Sequence, residues 1–276
     1  MTRSGSRVRA WPGWARIGAA LLVATSRSVP PAVAVGWAFG MDFEPRHAVT
    51  ALIALGLLPA LAALLLGRAF EAEVHVAGEE LCIARAGLRI EAPIASLAAV
   101  EAWRIPLPGP GVSLRLRSGA WLPVAIEPAP AELLASLATA GVAAPAHPNL
   151  AYGAARQGRL RRIWQHPLVK LGLFGLGPTA VLFRAHQIIA FGGLLGQYYQ
   201  QGLRPYLATL VEYWGITLLY LVLFASTLRL GAELAAFAAT WITPARARSI
   251  RTAAEACCAI AYYAGVPALL AVRFLG

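Results

Sequence analysis

LVKLGLFGLGPTAVLFRAHQIIAFGGLL (Leu168–Leu195) and LATLVEYWGITLLYLVLFASTLRL (Leu207–Leu230) are the two stretches whose reading decides the fold. Each is longer than the roughly 20 residues a helix needs to cross about 30 Å of hydrocarbon. The polar segment between them, GQYYQQGLRP (Gly196–Pro205), is short. Together they predict a transmembrane helical hairpin, and the rest of the chain is placed relative to that membrane.

Composition agrees. The chain has 276 residues, 58% of them hydrophobic and 13% charged, against about 25% charged in soluble domains. Its net charge of +11 would suit nucleic acid, but the arginines gather at the ends of the apolar runs. That is the positive-inside pattern of a membrane protein, so no nucleic-acid partner is expected. Lys170, Asp42 and Asn149 are the only residues of their kinds, and the cysteines are Cys82, Cys257 and Cys258. No disulfide framework follows, and no CxxC or His-rich spacing suggests a metal. Walker, GxGxxG, HExxH and GxSxG patterns are absent, which counts against NTPase, dehydrogenase, metalloprotease and serine hydrolase chemistry. No catalytic residue and no metal ligand is assigned.

Outward from the hairpin, residues 1–69 read as a basic N-terminal segment with Trp11 and Trp14, followed by two spans. The first, Ile17–Gly40, carries Arg27 and Pro30-Pro31 in its middle. That predicts a first helix kinked there and packed against its neighbours, a broken helix, or an interfacial segment over residues 11–25. Ala48–Leu66 reads as a clean second span. Residues 70–145 switch to period-two alternation, as in Val112/Leu114/Leu116 and Leu122/Val124/Ile126, the mark of half-buried strands. Pro130–Ala140 then suggests a short amphipathic helix.

The Val74–Leu88 meander, LRIEAPIASLAAVEAW, VSLRLRSGAWLPVAI and the closing PAELLASLATAG resemble the bacterial pleckstrin-homology-like domains of membrane proteins. The resemblance covers about a quarter of the chain. It implies a seven-stranded sheet capped by a helix and a role in binding or scaffolding. The periodicity alone places five or six strands.

Residues 146–166 form a basic juxtamembrane linker. Arg156, Arg159, Arg161 and Arg162, with Arg246 and Arg248 in a later loop, are expected to meet anionic lipid at about 1 kcal/mol each. Residues 167–276 complete a three-span domain, in which a helix from Pro205 to Ile242 tilts, projects inward or bends near Gly231. The fold class is therefore a polytopic α-helical membrane protein of about five spans with an inserted β-rich, pleckstrin-homology-like domain. It is expected in a bacterial inner membrane, with the N-terminus and β-domain cytoplasmic and the C-terminus outside.

Ionisable or polar groups inside spans are functional candidates, which singles out Arg184, His186, Gln187 and Glu212. Arg184 or His186 lies at a depth suited to pairing with Glu212 across the hairpin. No cofactor is expected; the set suggests at most a quinone contact, or a haem for which His186 supplies one axial ligand. Arg229/Glu233 and Arg251/Glu255 are spaced to pair along their own helices. Gly192/Gly196 and the stripe Ala253, Cys257, Ala261, Gly265 predict close helix packing. These features point to a non-enzymatic accessory, assembly or scaffold subunit whose partners are other membrane subunits. The alternatives are a transporter or membrane enzyme using Arg184/His186/Glu212, and a sensor whose β-domain binds lipid or peptide.

Overall fold

The computed structural model describes residues 6–41, 44–143, 147–157, 166 and 168–275. Among the described residues, five helices are long and apolar enough to cross a membrane. We label them α1 (Gly13–Ala38), α2 (Pro45–Ala69), α5 (Leu168–Phe191), α7 (Leu203–Ile242) and the pair α8 (Ala247–Tyr263) and α9 (Gly265–Leu275), which form the fifth span together. Shorter helices are α3 (Ala131–Thr139), α4 (Pro148–Gln157) and α6 (Gly196–Gln201). The chain divides into two compact units.

The first unit takes in the described residues of Met1–Val29, Ile53–Arg159 and Glu233–Ala254. Its centre is a seven-stranded antiparallel sheet of β1 (Ser6–Trp11), β2 (Glu71–Ala77), β3 (Glu80–Arg85), β4 (Leu88–Pro93), β5 (Leu97–Ala102), β6 (Val112–Leu116) and β7 (Ala125–Glu127). The spatial order is β4-β3-β2-β1-β7-β6-β5. Strands β4 and β5 stand at opposite ends of that order, yet only Ile94–Ser96 separates them in sequence. Three residues reach about 10 Å, whereas the edges of a flat sheet of this width would be about 29 Å apart. The sheet must therefore curl on itself. Val74, Leu81, Ile83, Leu97, Val100, Val112, Leu114 and Ile126 fill its interior, and α3 closes it through Leu133 and Leu137.

The missing strand comes from the N-terminus. Ser6–Trp11, expected to be a basic surface segment, lies in the middle of the sheet, pairing Arg7 with Glu73 and Val8 with Ala72 on one side, and Ala10 with Ile126 on the other. Its burial alternates as a strand requires: Val8 and Ala10 are buried and Arg7 is exposed. Because β1 and β2 are hydrogen-bonded neighbours, a chain that crosses a bilayer through α1 must return through α2. The two helices meet the sheet together, where Trp11, Ala15, Ala19, Phe70, Trp103 and Ala125 form a second buried cluster.

Helix α1 decides between the readings of the first apolar stretch. It runs for 26 residues with Pro30 and Pro31 inside it, neither interrupted nor divided into an interfacial piece. Proline within a span is tolerated where neighbouring groups take up the freed backbone positions.

The second unit comprises the described residues of Pro30–Leu52, Leu160–Ala232 and Glu255–Gly276. Here α5 packs on α7 through T-shaped contacts of Phe183 with Tyr206 and Tyr213. Gly175 admits Leu218 and Leu221 so closely that an added Cβ would lie 3.3–3.4 Å from their methyls. The last span joins through Tyr262, whose hydroxyl donates to the Lys170 carbonyl at 2.8 Å and whose ring packs on Phe174. Helix α7 passes Gly231 without interruption for 40 residues, about 60 Å. That is roughly twice the hydrocarbon thickness of a bilayer.

Candidate functional site

Polar side chains gather in one buried seam of the first unit, where the loop after β5, the end of β7, α4 and the α7–α8 turn come together. Glu127 is its deepest carboxylate, 5% exposed. It faces Arg9 in the β1–β7 register, with the guanidinium at 3.7 Å, and accepts a 2.6 Å hydrogen bond from Trp11 Nε1. Burial pushes this carboxyl above the usual carboxylate range, opposed by the Trp11 hydrogen bond and then by Arg9. The loop Pro108-Gly109-Pro110-Gly111 lies directly over it. A Cβ on Gly109 would fall 2.0 Å from Glu127 Oε1, and one on Gly111 would fall 2.6 Å from the Ile126 carbonyl. Only glycine allows so close an approach.

Asn149, the sole asparagine, pins the start of that loop. Fully buried, it donates from Nδ2 to the carbonyls of Trp103 and Arg104, and accepts from Trp241 Nε1 at 3.1 Å. Trp103 in turn donates to Ser113 Oγ at 3.1 Å, with Arg16 over its ring at 4.6 Å.

One turn further along α4, the Tyr152 hydroxyl donates to Glu233 of α7, and Arg251 of α8 grips the same carboxylate with two bonds of 2.5 and 2.7 Å. Arg251 thus reaches across the α7–α8 turn to Glu233, a pairing that spacing had not suggested. A fork-to-fork geometry of this kind is the strong form of an ion pair. Burial, with the Glu233 hydrogen bond, raises the Tyr152 phenol above its ordinary value. Arg156, expected at the lipid surface, is half-buried and its field acts on both Glu127 and Tyr152. Arg246 and Arg248 are exposed, while Arg159, Arg161 and Arg162 lie outside the described residues.

The intramembrane candidates separate. Gly175, Thr179, Phe183 and Gln187 form the buried stripe of α5, and Arg184, one residue round from Phe183, is exposed. Glu212 is likewise exposed on α7. Among the described residues neither enters an ion pair, so the expected bridge across the hairpin does not form. The inward faces of both helices are already filled by aromatic contacts, and His186 stacks on Tyr213 at 5.0 Å.

Gln187 instead binds Gln197. Its Nε2 donates to Gln197 Oε1 at 2.7 Å and its Oε1 accepts from the Gln197 backbone N–H at 3.3 Å; Gln197 also donates to Thr209 at 2.9 Å. This closed amide network locks the turn between α5 and α7. Gln197 was not singled out from sequence, and only its place in an otherwise apolar hairpin marked it.

The packing stripes are redrawn as well. Gly192 ends α5 with φ +73° and Gly196 begins α6, so the two make a turn and not a GxxxG face. Ala253 and Cys257 are exposed and Ala261 and Gly265 half-buried, while Cys258 and Tyr262 form the packed side of that helix. In the seam, carboxylates are met by guanidinium, indole and phenol groups. It is built to hold elements together.

No family model matches the chain, and no curated protein or solved structure matches it significantly.

Proposed function

We propose that this chain is a non-enzymatic accessory, assembly or scaffold subunit of a larger membrane complex, seated in a bacterial inner membrane with its β-domain in the cytoplasm. The observation that carries the reading is the outward exposure of Arg184 and Glu212 on apolar helices. Arg184 lies about 10 Å from the end of α5, and Glu212 about 13 Å from the start of α7. A charge at the centre of a span costs roughly 2.5–3.5 kcal/mol on insertion scales. A neighbouring subunit with opposite charges or polar groups removes that cost. The exposed small residues Ala253 and Cys257 offer another helix a close approach, and the likeness of residues 70–142 to pleckstrin-homology-like domains supports a binding role for the soluble part.

The experiment is extraction from native membranes in mild detergent through a C-terminal tag, with mass spectrometry of what co-purifies. Stoichiometric membrane subunits that dissociate in the Arg184→Leu or Glu212→Leu variants support the proposal. A monomer that alone transports or converts a substrate refutes it.

A further inference from the structure

The outer face of the β2–β3–β4 meander brings together ligand types that the linear sequence keeps apart. Along β3, Leu81 and Ile83 point into the core, so Glu80 and Cys82 share the opposite face. The antiparallel register sets His75 of β2 opposite Cys82, and Glu91 of β4 opposite Cys82 on its other side. Cys82 is therefore the middle of a row His75–Cys82–Glu91, with Glu80 two residues away. Its Sγ and one carboxylate oxygen each of Glu80 and Glu91 lie within 4.8 Å of one another.

Two further observations set this thiol apart from an ordinary small core residue. Cys82 is 3% exposed, and among the described residues its sulfur has no hydrogen-bond partner. Beside it stand two exposed carboxylates, whose mutual repulsion favours a cation between them. Arg89 takes Glu91 Oε1 at 2.5 Å, so one Glu91 oxygen is shared with a guanidinium.

We propose that Glu80, Cys82 and Glu91 bind a divalent zinc ion, with His75 able to swing in as a fourth ligand. Zinc accepts thiolate, imidazole and carboxylate at 2.0–2.3 Å in tetrahedral geometry, which places ligand atoms about 3.4 Å apart. Rotamer changes of two exposed glutamates supply the closure from 4.8 Å. The strands hold the backbone still, so the site is largely preorganised. Binding exchanges the thiol proton for the metal: the S–H bond breaks, an S–Zn bond forms, and the proton leaves to water. Affinity therefore rises with pH.

The test uses the full chain purified in detergent, stripped with a chelator and titrated with cobalt(II), whose thiolate complexes absorb in the near ultraviolet. One equivalent is expected to give this band, and zinc to remove it. Cys82→Ser abolishes the band, while the paired Cys257→Ser and Cys258→Ser changes leave it intact. Glu80→Gln with Glu91→Gln, at exposed positions that do not support the core, weakens cobalt binding about tenfold or more. The proposal is overturned by absence of the band, by its survival in Cys82→Ser, by its loss with Cys257 and Cys258, or by unchanged affinity in the double glutamine variant. That last arm decides the matter even where Cys82→Ser does not fold.

Discussion

Asn149→Ala removes three hydrogen bonds at one stroke, and their surroundings set the size of the loss. The Trp103 carbonyl is buried, so its lost donor is not replaced by water; Arg104 is exposed and Trp241 is 46% exposed, so both can rehydrate. A buried acceptor left alone costs about 1–3 kcal/mol, and each replaceable bond contributes about 1 kcal/mol or less. The sum is about 3 kcal/mol, a large share of a stability of roughly 5–15 kcal/mol. Hydrogen exchange in detergent micelles reads this directly, with residues 103–111 losing protection before the β3 core. Asn149→Asp is expected to be worse than Asn149→Ala at neutral pH, because a carboxylate oxygen then faces two carbonyls. Its folded-state pKa is raised, so stability returns as pH falls and the acid regains a proton to donate. Combining Asn149→Ala with Trp241→Phe should cost less than the sum of the two, because they share one bond. Strict additivity, or a loss under about 0.5 kcal/mol for Asn149→Ala, would refute the reasoning.

Other positions give equally direct tests. Burial raises the Glu127 carboxyl, so the folded state holds its proton to higher pH than the unfolded chain. Its contribution is complete below the ordinary glutamate value of 4.5 and is lost as pH rises through the folded value; thermal scans across this range should be flatter for Glu127→Gln than for wild type. Gly111→Ala sets a methyl 2.6 Å from the Ile126 carbonyl and 2.8 Å from the Trp103 ring, and should cost about 1–3 kcal/mol by overpacking, whereas Gly87→Ser, which strains only the β3–β4 turn at φ +74°, should not open the seam to exchange. Deleting residues up to Trp11 removes β1 from between β2 and β7, and should leave residues 71–142 sensitive to limited proteolysis while the hairpin of α5 and α7 remains resistant. Glu233→Gln turns the Arg251 fork into a single neutral contact and should raise exchange across α4, with a smaller effect from Tyr152→Phe.

What sequence alone revealed follows from the range of the physics. The apolar runs and the alternating strands are local patterns, and they appear in the structure as helices and sheet. β1 was missed although its signal was present: Val8 and Ala10 alternate with Arg7 and Arg9. The flanking tryptophans and arginines looked equally like a membrane surface, and the partners of the strand lie far along the chain. The seam was invisible for a related reason. Asn149, Trp103, Trp241, Tyr152 and Glu233 share no spacing, and only tertiary packing joins them. Arg184 and Glu212 failed in a different way. Their depths were compatible, but a helix presents each residue at its own azimuth, and the aromatic stripe had already claimed the shared face. The Glu80, Cys82 and Glu91 group was legible in part, since alternation puts two of them on one face; the register that delivers the third is set by the turn at Ala86-Gly87.

The central position of β1 also constrains how the molecule is made. An edge strand could be added last at small cost, but β1 carries hydrogen bonds on both sides, to β2 and to β7. It is synthesised before both partners, which begin only at Glu71 and Ala125. Between β1 and β2 lie two apolar helices that cannot wait in water. Pairing α1 with α2 as a hairpin returns Glu71 to the place where Trp11 was left, and so carries part of the loop-closure entropy that pairing β1 with β2 would otherwise cost. The buried contacts among Trp11, Ala15, Phe70 and Trp103 then form at the place where helices and sheet meet. The α1–α2 pair thereby supplies the juxtaposition from which the sheet is completed.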